Sequence, residues 1–108
     1  MDGTSTSAEA LVRARVCLLP RAEGGRSAPI RGSYRPNHNF LGPDNRDMLV
    51  GFIEMQPDEV LNPGECAEFE ILFLNWSALR PDLRVGKEWL IQEGAHVVGK
   101  GTVLERLS

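Results

Sequence analysis

The clearest signal in the chain is alternation. Val12, Ala14, Val16 and Leu18 share one parity, with Arg13 and Arg15 on the other, which predicts a strand with one buried face. Ala67, Phe69, Ile71 and Phe73 alternate with Glu68 and Glu70 in the same way, aromatics inward and carboxylates outward. Met48–Met55 is a short, mostly apolar strand, and Lys87–Gln92 is another with Trp89 and Ile91 inward. In the last strand, 97–107, Val97, Gly99, Gly101 and Val103 share a parity. Tyr34, Pro36, His38 and Phe40 also alternate. Pro36 has no N–H to give to a ladder, so this stretch is expected at an edge or only partly paired.

Turn chemistry separates these segments. Gly24-Gly25 tips the loop 20–32, and 41–47 is rich in turn residues. Asn62-Pro63-Gly64-Glu65 has the order a type II turn asks for. Gly94 at the first central position of Glu93-Gly94-Ala95-His96 suits a type II′ hairpin. Residues 75–86 form a loop carrying Trp76 and Pro81. Residues 1–10 are small and polar and are expected to form a disordered leader, with the domain covering 11–108. Six strands without an amphipathic helix predict an all-β fold, an antiparallel closed barrel or sandwich.

Size and charge narrow the function. With 108 residues there is room for one domain. No apolar run approaches the roughly 20 residues of a membrane helix, and the first ten residues lack the features of a secretory signal. The net charge of −3 is unevenly spread. Residues 1–46 hold seven Arg against four carboxylates, and residues 47–108 hold five basic against eleven acidic side chains. An overall negative chain argues against promiscuous nucleic-acid binding.

Two cysteines, Cys17 and Cys66, allow one disulfide. Without a secretory signal they are expected as free thiols in a reducing, cytoplasmic setting. With His38 and His96 they form no zinc spacing and no nucleophile–base pair, so no metal, no cofactor and no catalytic residue is expected.

Three motifs carry a resemblance. Glu23-Gly24-Gly25-Arg26 followed by Gly32-Ser33-Tyr34-Arg35-Pro36 is similar to the EGGR…GYRPQF signature of the C-terminal barrel of the bacterial elongation factor Tu family. Asn62-Pro63-Gly64-Glu65 resembles that barrel's MPGD turn, and the stretch from Ile91 to Val103 resembles its IREGGRTVGAGVV ending. Order and approximate spacing hold across residues 11–107. The resemblance implies a six-stranded antiparallel closed β-barrel.

In that family the barrel contacts the stem of aminoacyl-tRNA and docks on a nucleotide-binding domain. The resemblance therefore implies RNA contacts at Arg26, Glu93, Gly94 and Asn37. A guanidinium suits phosphate, a carboxylate can accept from a guanine amino group, and a glycine lets backbone approach a ribose 2′-OH. Tyr34 and Arg35 match a part of the motif near a domain interface. Where the family has His, Gln, Gly and Arg, this chain has Ser27, Asn37, Ala95 and His96, and extra residues occur around 43–47 and 78–84.

No phosphate-cradling GxxxxGK[ST] loop occurs, so no nucleotide binding or GTPase activity is expected. The chain is thus expected to act as a stand-alone binding module, not an enzyme, recognising a tRNA-like stem. The alternative is a protein-interaction module that kept the barrel and docks on a nucleotide-binding domain or translation factor. The Arg-rich first part favours RNA. The acidic second part, and Trp76 as an exposed interface aromatic, favour a protein partner.

Overall fold

The computed structural model describes residues 8–108. Its strands are β1 (Ala10–Leu18), β2 (Ile30–Arg31), β3 (Ser33–Tyr34), β4 (Asn37–Asn39), β5 (Leu49–Glu54), β6 (Val60–Leu61), β7 (Cys66–Phe73), β8 (Glu88–Glu93) and β9 (His96–Arg106). Six of them close an antiparallel ring in the order β5-β4-β8-β9-β1-β7 and back to β5. The expected six-stranded closed barrel is what the chain forms, with β3 outside the ring, paired to β5. Closure leaves the ring itself no open edge.

The alternation explains the interior. Val12, Ala14 and Val16 of β1 are fully buried, as are Ile71 and Phe73 of β7. The register pairs Val12 with Ile71 and Ala14 with Phe69, so both strands turn the same set inward. On the outer face Arg13 stands between Glu70 and Glu105, at 3.6 and 3.1 Å. Exposed pairs of this kind contribute little to stability.

The core centres on Trp89. Gly101 lies directly opposite it on β9, and a Cβ there would sit 2.3 Å from the indole ring. Glycine is therefore required by the ring it faces. Phe40 stacks on Trp89 with centroids 5.0 Å apart, and Phe73 meets His38 edge-on at 5.0 Å. The indole Nε1–H donates to His38 Nδ1 at 3.0 Å, while His38 Nε2 faces the Gly51 carbonyl at 3.4 Å. Burial pushes the His38 pKa down to about 4, opposed by the Gly51 carbonyl, so the ring is neutral near pH 7.

Several expectations are corrected. The 34–40 stretch is only partly paired, as expected, but its second half does not lie at an edge. It breaks at Arg35-Pro36, where proline cannot donate, and β4 then enters the ring between β5 and β8. Residues 30–31, read as part of a loop, pair with 60–61 as the two-stranded ribbon β2–β6. At Ile91/Gln92 the β8–β9 register shifts, because β9 inserts Val98 as an extra residue. Val98 is consequently buried and Val97 half-exposed, which reverses the parity at that end of β9. The expected leader lies largely outside the described residues, but its last part is ordered. The Ala8 carbonyl accepts from the Ser77 N–H, and Ala10 is fully buried in β1.

The free-thiol expectation also fails. Cys17 and Cys66 are opposite residues at the end of the β1–β7 ladder and form a disulfide. Both occupy outward positions on strands the ring makes neighbours, which a separation of 49 residues in sequence conceals. Trp76 is not an exposed aromatic either. It is half-buried against the core, its Nε1–H donates to the Pro81 carbonyl at 3.1 Å, and the Arg106 guanidinium lies 4.9 Å from its ring.

At that same end of the barrel, Leu107 and Ser108 donate their backbone N–H groups to the Leu11 carbonyl. The Leu11 N–H donates to Ser108 Oγ at 3.1 Å.

Candidate functional site

The candidate residues gather at the opposite end, around the β8–β9 turn. Glu93 pairs with His96 to close the hairpin. Gly94 takes φ 61°, in the left-handed region that a type II′ turn requires at its first central position, and Ala95 does not share it. Beneath the turn lies a buried amide pair, Asn39 and Gln92. Asn39 Nδ2 donates to Gln92 Oε1 at 2.7 Å and to the Gly42 carbonyl at 2.6 Å. Gln92 Nε2 donates to the Gly94 carbonyl at 3.1 Å. Asn39 Oδ1 accepts from the N–H groups of Leu41 and Gly42. This pair fixes both the hairpin tip and the loop after β4, and sequence reasoning missed it. The only sequence sign is two amide side chains in strands beside turns.

The loop after β1 folds over the hairpin. Residues 21–23 make one 3-10 turn, closed by bonds from the Glu23 and Gly25 N–H groups to the Pro20 carbonyl. Arg26 then reaches across. Its Nε donates to Glu93 Oε2 at 2.6 Å, and its Nη1 donates to the carbonyls of Ala28 and Pro29 at 2.7 and 2.9 Å. The Tyr34 hydroxyl donates to the same Glu93 oxygen at 2.5 Å, and the Arg26 guanidinium lies 5.5 Å from the Tyr34 ring. Burial raises the Tyr34 pKa, the hydrogen bond and charge of Glu93 raise it further, and Arg26 opposes them. Tyr34 is therefore a fixed proton donor. His96 Nε2 contacts the Gly24 carbonyl, a second tie between loop and hairpin.

The tip separates two grooves. One, of about 320 Å³, lies between the 25–28 loop and the side chains of Arg26, Glu93 and His96. The other, of about 540 Å³, lies between the 43–48 loop and the tip, with Asn37, Arg46, Met48 and Gly94 among its walls. Residues 43–46 thus form a wall of the larger groove. Among the described residues, Arg46 makes no ion pair.

Arg26, Asn37, Glu93 and Gly94 are therefore brought to one place, and Tyr34 joins them. Arg35 is not part of this group. It is exposed and lies 4.8 Å from the Phe52 ring. Trp76 sits at the other end of the barrel. The cluster has acceptors, donors and an ion pair. Among the described residues no group of three or more His, Cys, Asp or Glu side chains is placed to hold a metal ion. No helix among them is long and apolar enough to cross a membrane. No protein-family model matches the chain.

Proposed function

We propose that this protein is a non-enzymatic binding module that recognises a structured, tRNA-like RNA stem with the β8–β9 end of its barrel. The observation that carries the reading is the convergence at one tip of Arg26, Asn37, Glu93 and Gly94 from separate segments. Arg26 and Tyr34 hold Glu93 through Oε2, so Oε1 carries neither of those bonds and is suited to accept from a base amino group. Gly94 offers backbone without a side chain in the way. The role of Arg26 differs from a simple phosphate contact, because its Nε and Nη1 are already used. Phosphate contact falls mainly to Arg46 across the larger groove, a side chain that makes no ion pair among the described residues. On this reading the chain acts beside the translation machinery in the cytoplasm.

The test is a titration of an aminoacyl-tRNA and of a plain RNA duplex at two salt concentrations. The expected result is binding that weakens steeply with salt, with a slope reduced by about one phosphate contact in Arg46→Ala. No binding at low salt overturns the reading.

A second reading has its own support. Leu41 and Val85 are exposed apolar side chains at 59% and 71%, and the second part of the chain is acidic. These features fit a protein partner such as a nucleotide-binding domain or translation factor. A Val85→Glu variant that loses a co-purifying translation protein but leaves RNA titration unchanged would favour it.

A further inference from the structure

The disulfide lies outside the site just described and has a chemistry of its own. Cys66 is exposed and Cys17 half-buried, so a reductant reaches one sulfur more readily than the other. The bond does not hold two otherwise separate parts together, because β1 and β7 are paired along their length without it. Cys17 also stands between two neighbours. Cys66 is opposite it on β7, and Lys100 is opposite it on β9. Directly opposed side chains in an antiparallel pair have Cβ atoms about 5 Å apart. The Lys100 ammonium is paired with Glu88 at 3.4 Å, so exposure rather than a neighbouring charge sets which sulfur is attacked.

We propose that Cys17–Cys66 is a thiol–disulfide exchange site, opened by a dithiol reductant that attacks Cys66 and expels Cys17. The donor's first thiolate bonds to the Cys66 sulfur, the bond between the two cysteines breaks, and its electron pair leaves on Cys17 as a thiolate. The donor's second thiolate then attacks the donor sulfur of the mixed disulfide. This releases the Cys66 thiolate and leaves the donor oxidised. Two electrons pass to this chain, and the two thiolates take protons from water as their pKa values dictate.

Opening the bond has a local structural consequence. Leu18, next to Cys17, donates its N–H to the Glu65 carbonyl and accepts from the Gly64 N–H. Gly64 in turn lies against Pro20, where the loop to Arg26 begins. The disulfide therefore clamps the root of that loop, and its opening loosens residues 18–25 while the barrel stays closed. The exchange chemistry stands whether or not the tip binds RNA.

The test uses the folded, oxidised chain and a thioredoxin-class dithiol whose resolving cysteine is replaced by serine. The expected product is a mixed disulfide at Cys66, located by peptide mass mapping. With the intact dithiol, the folded chain is expected to be reduced without denaturant. Hydrogen exchange of the reduced chain is expected to show faster exchange at 18–25 and unchanged protection in β8 and β9. Adduct only at Cys17, or adduct only in denaturant, would overturn the exchange site. Global loss of protection on reduction would overturn it as well, since the bond would then be a structural staple.

Discussion

Two parts of this barrel join distant segments through side-chain hydrogen bonds, in opposite surroundings. In the interior, Trp89 donates to His38 inside a cage of Phe40, Phe73 and the bare Gly101. At the tip, Arg26 and Tyr34 both donate to one oxygen of Glu93, and the side chains of Arg26 and Glu93 remain 23% and 37% exposed. The interior group contains no charge and leaves little space. Its hydrogen bond lets an imidazole and an indole be buried without an unsatisfied nitrogen. The tip group is charged, partly wet and flanked by grooves. Its bonds set the direction of a carboxylate more than they stabilise the fold. Similar contacts thus mark the residues that make the barrel in one place and those that present a surface in the other.

The comparison can be broken at its interior side first. Trp89→Ala should cost about 4 kcal/mol in denaturant unfolding, because it leaves a large cavity and an unpartnered His38 nitrogen. A cost under about 1 kcal/mol would mean that the indole is not the centre of the core.

Acid provides the next test. The folded His38 value of about 4 lies below the ordinary 6.5, so the unfolded chain takes up the proton first. Stability from this group is present above pH 6.5 and falls through the window between 6.5 and about 4, by about 3 kcal/mol in all. Unfolding curves at pH 7, 5.5 and 4.5 should show that slope, and His38→Gln should flatten it.

The disulfide lies at the boundary between the two regions. A double Cys17→Ser, Cys66→Ser variant should lose about 2–3 kcal/mol yet remain folded, as read by thermal melting and tryptophan fluorescence. The smallest effects belong to the tip. Glu93→Gln or Tyr34→Phe should each change stability by under about 1 kcal/mol. Each should alter RNA titration more than melting. A large loss of stability there would make the cluster a fold element and erase the contrast.

The sequence carried the barrel well where a strand faces water on one side. In β1 from Val12 and in β7 from Ala67 the alternation sorted the inward residues from the outward charges, because one buried face imposes a period of two, while Ala10 was lost to the expected leader. The ribbon β2–β6 was not legible, since two residues per strand give periodicity nothing to repeat. The Val98 bulge escaped because it changes parity without changing composition. The disulfide depended on the register of two strands far apart in sequence, and neither strand states which partner the ring will give it. At the tip the separate motifs named Arg26, Tyr34, Glu93 and Gly94. That Arg26 and Tyr34 spend their donors on Glu93 is a matter of loop path. The buried Asn39–Gln92 pair gave no sign of its support beyond residue type.

The backbone bonds between Leu11 and Ser108 give the molecule a handle. β9 runs 11 residues from His96 at the tip to Arg106 beside that junction, a distance of about 35 Å at the usual strand rise. A surface anchor, a dye or a fused domain attached at either Ala8 or Ser108 would therefore hang from the same pole. It would point away from the grooves, so one attachment geometry serves any assay that must leave the tip unobstructed.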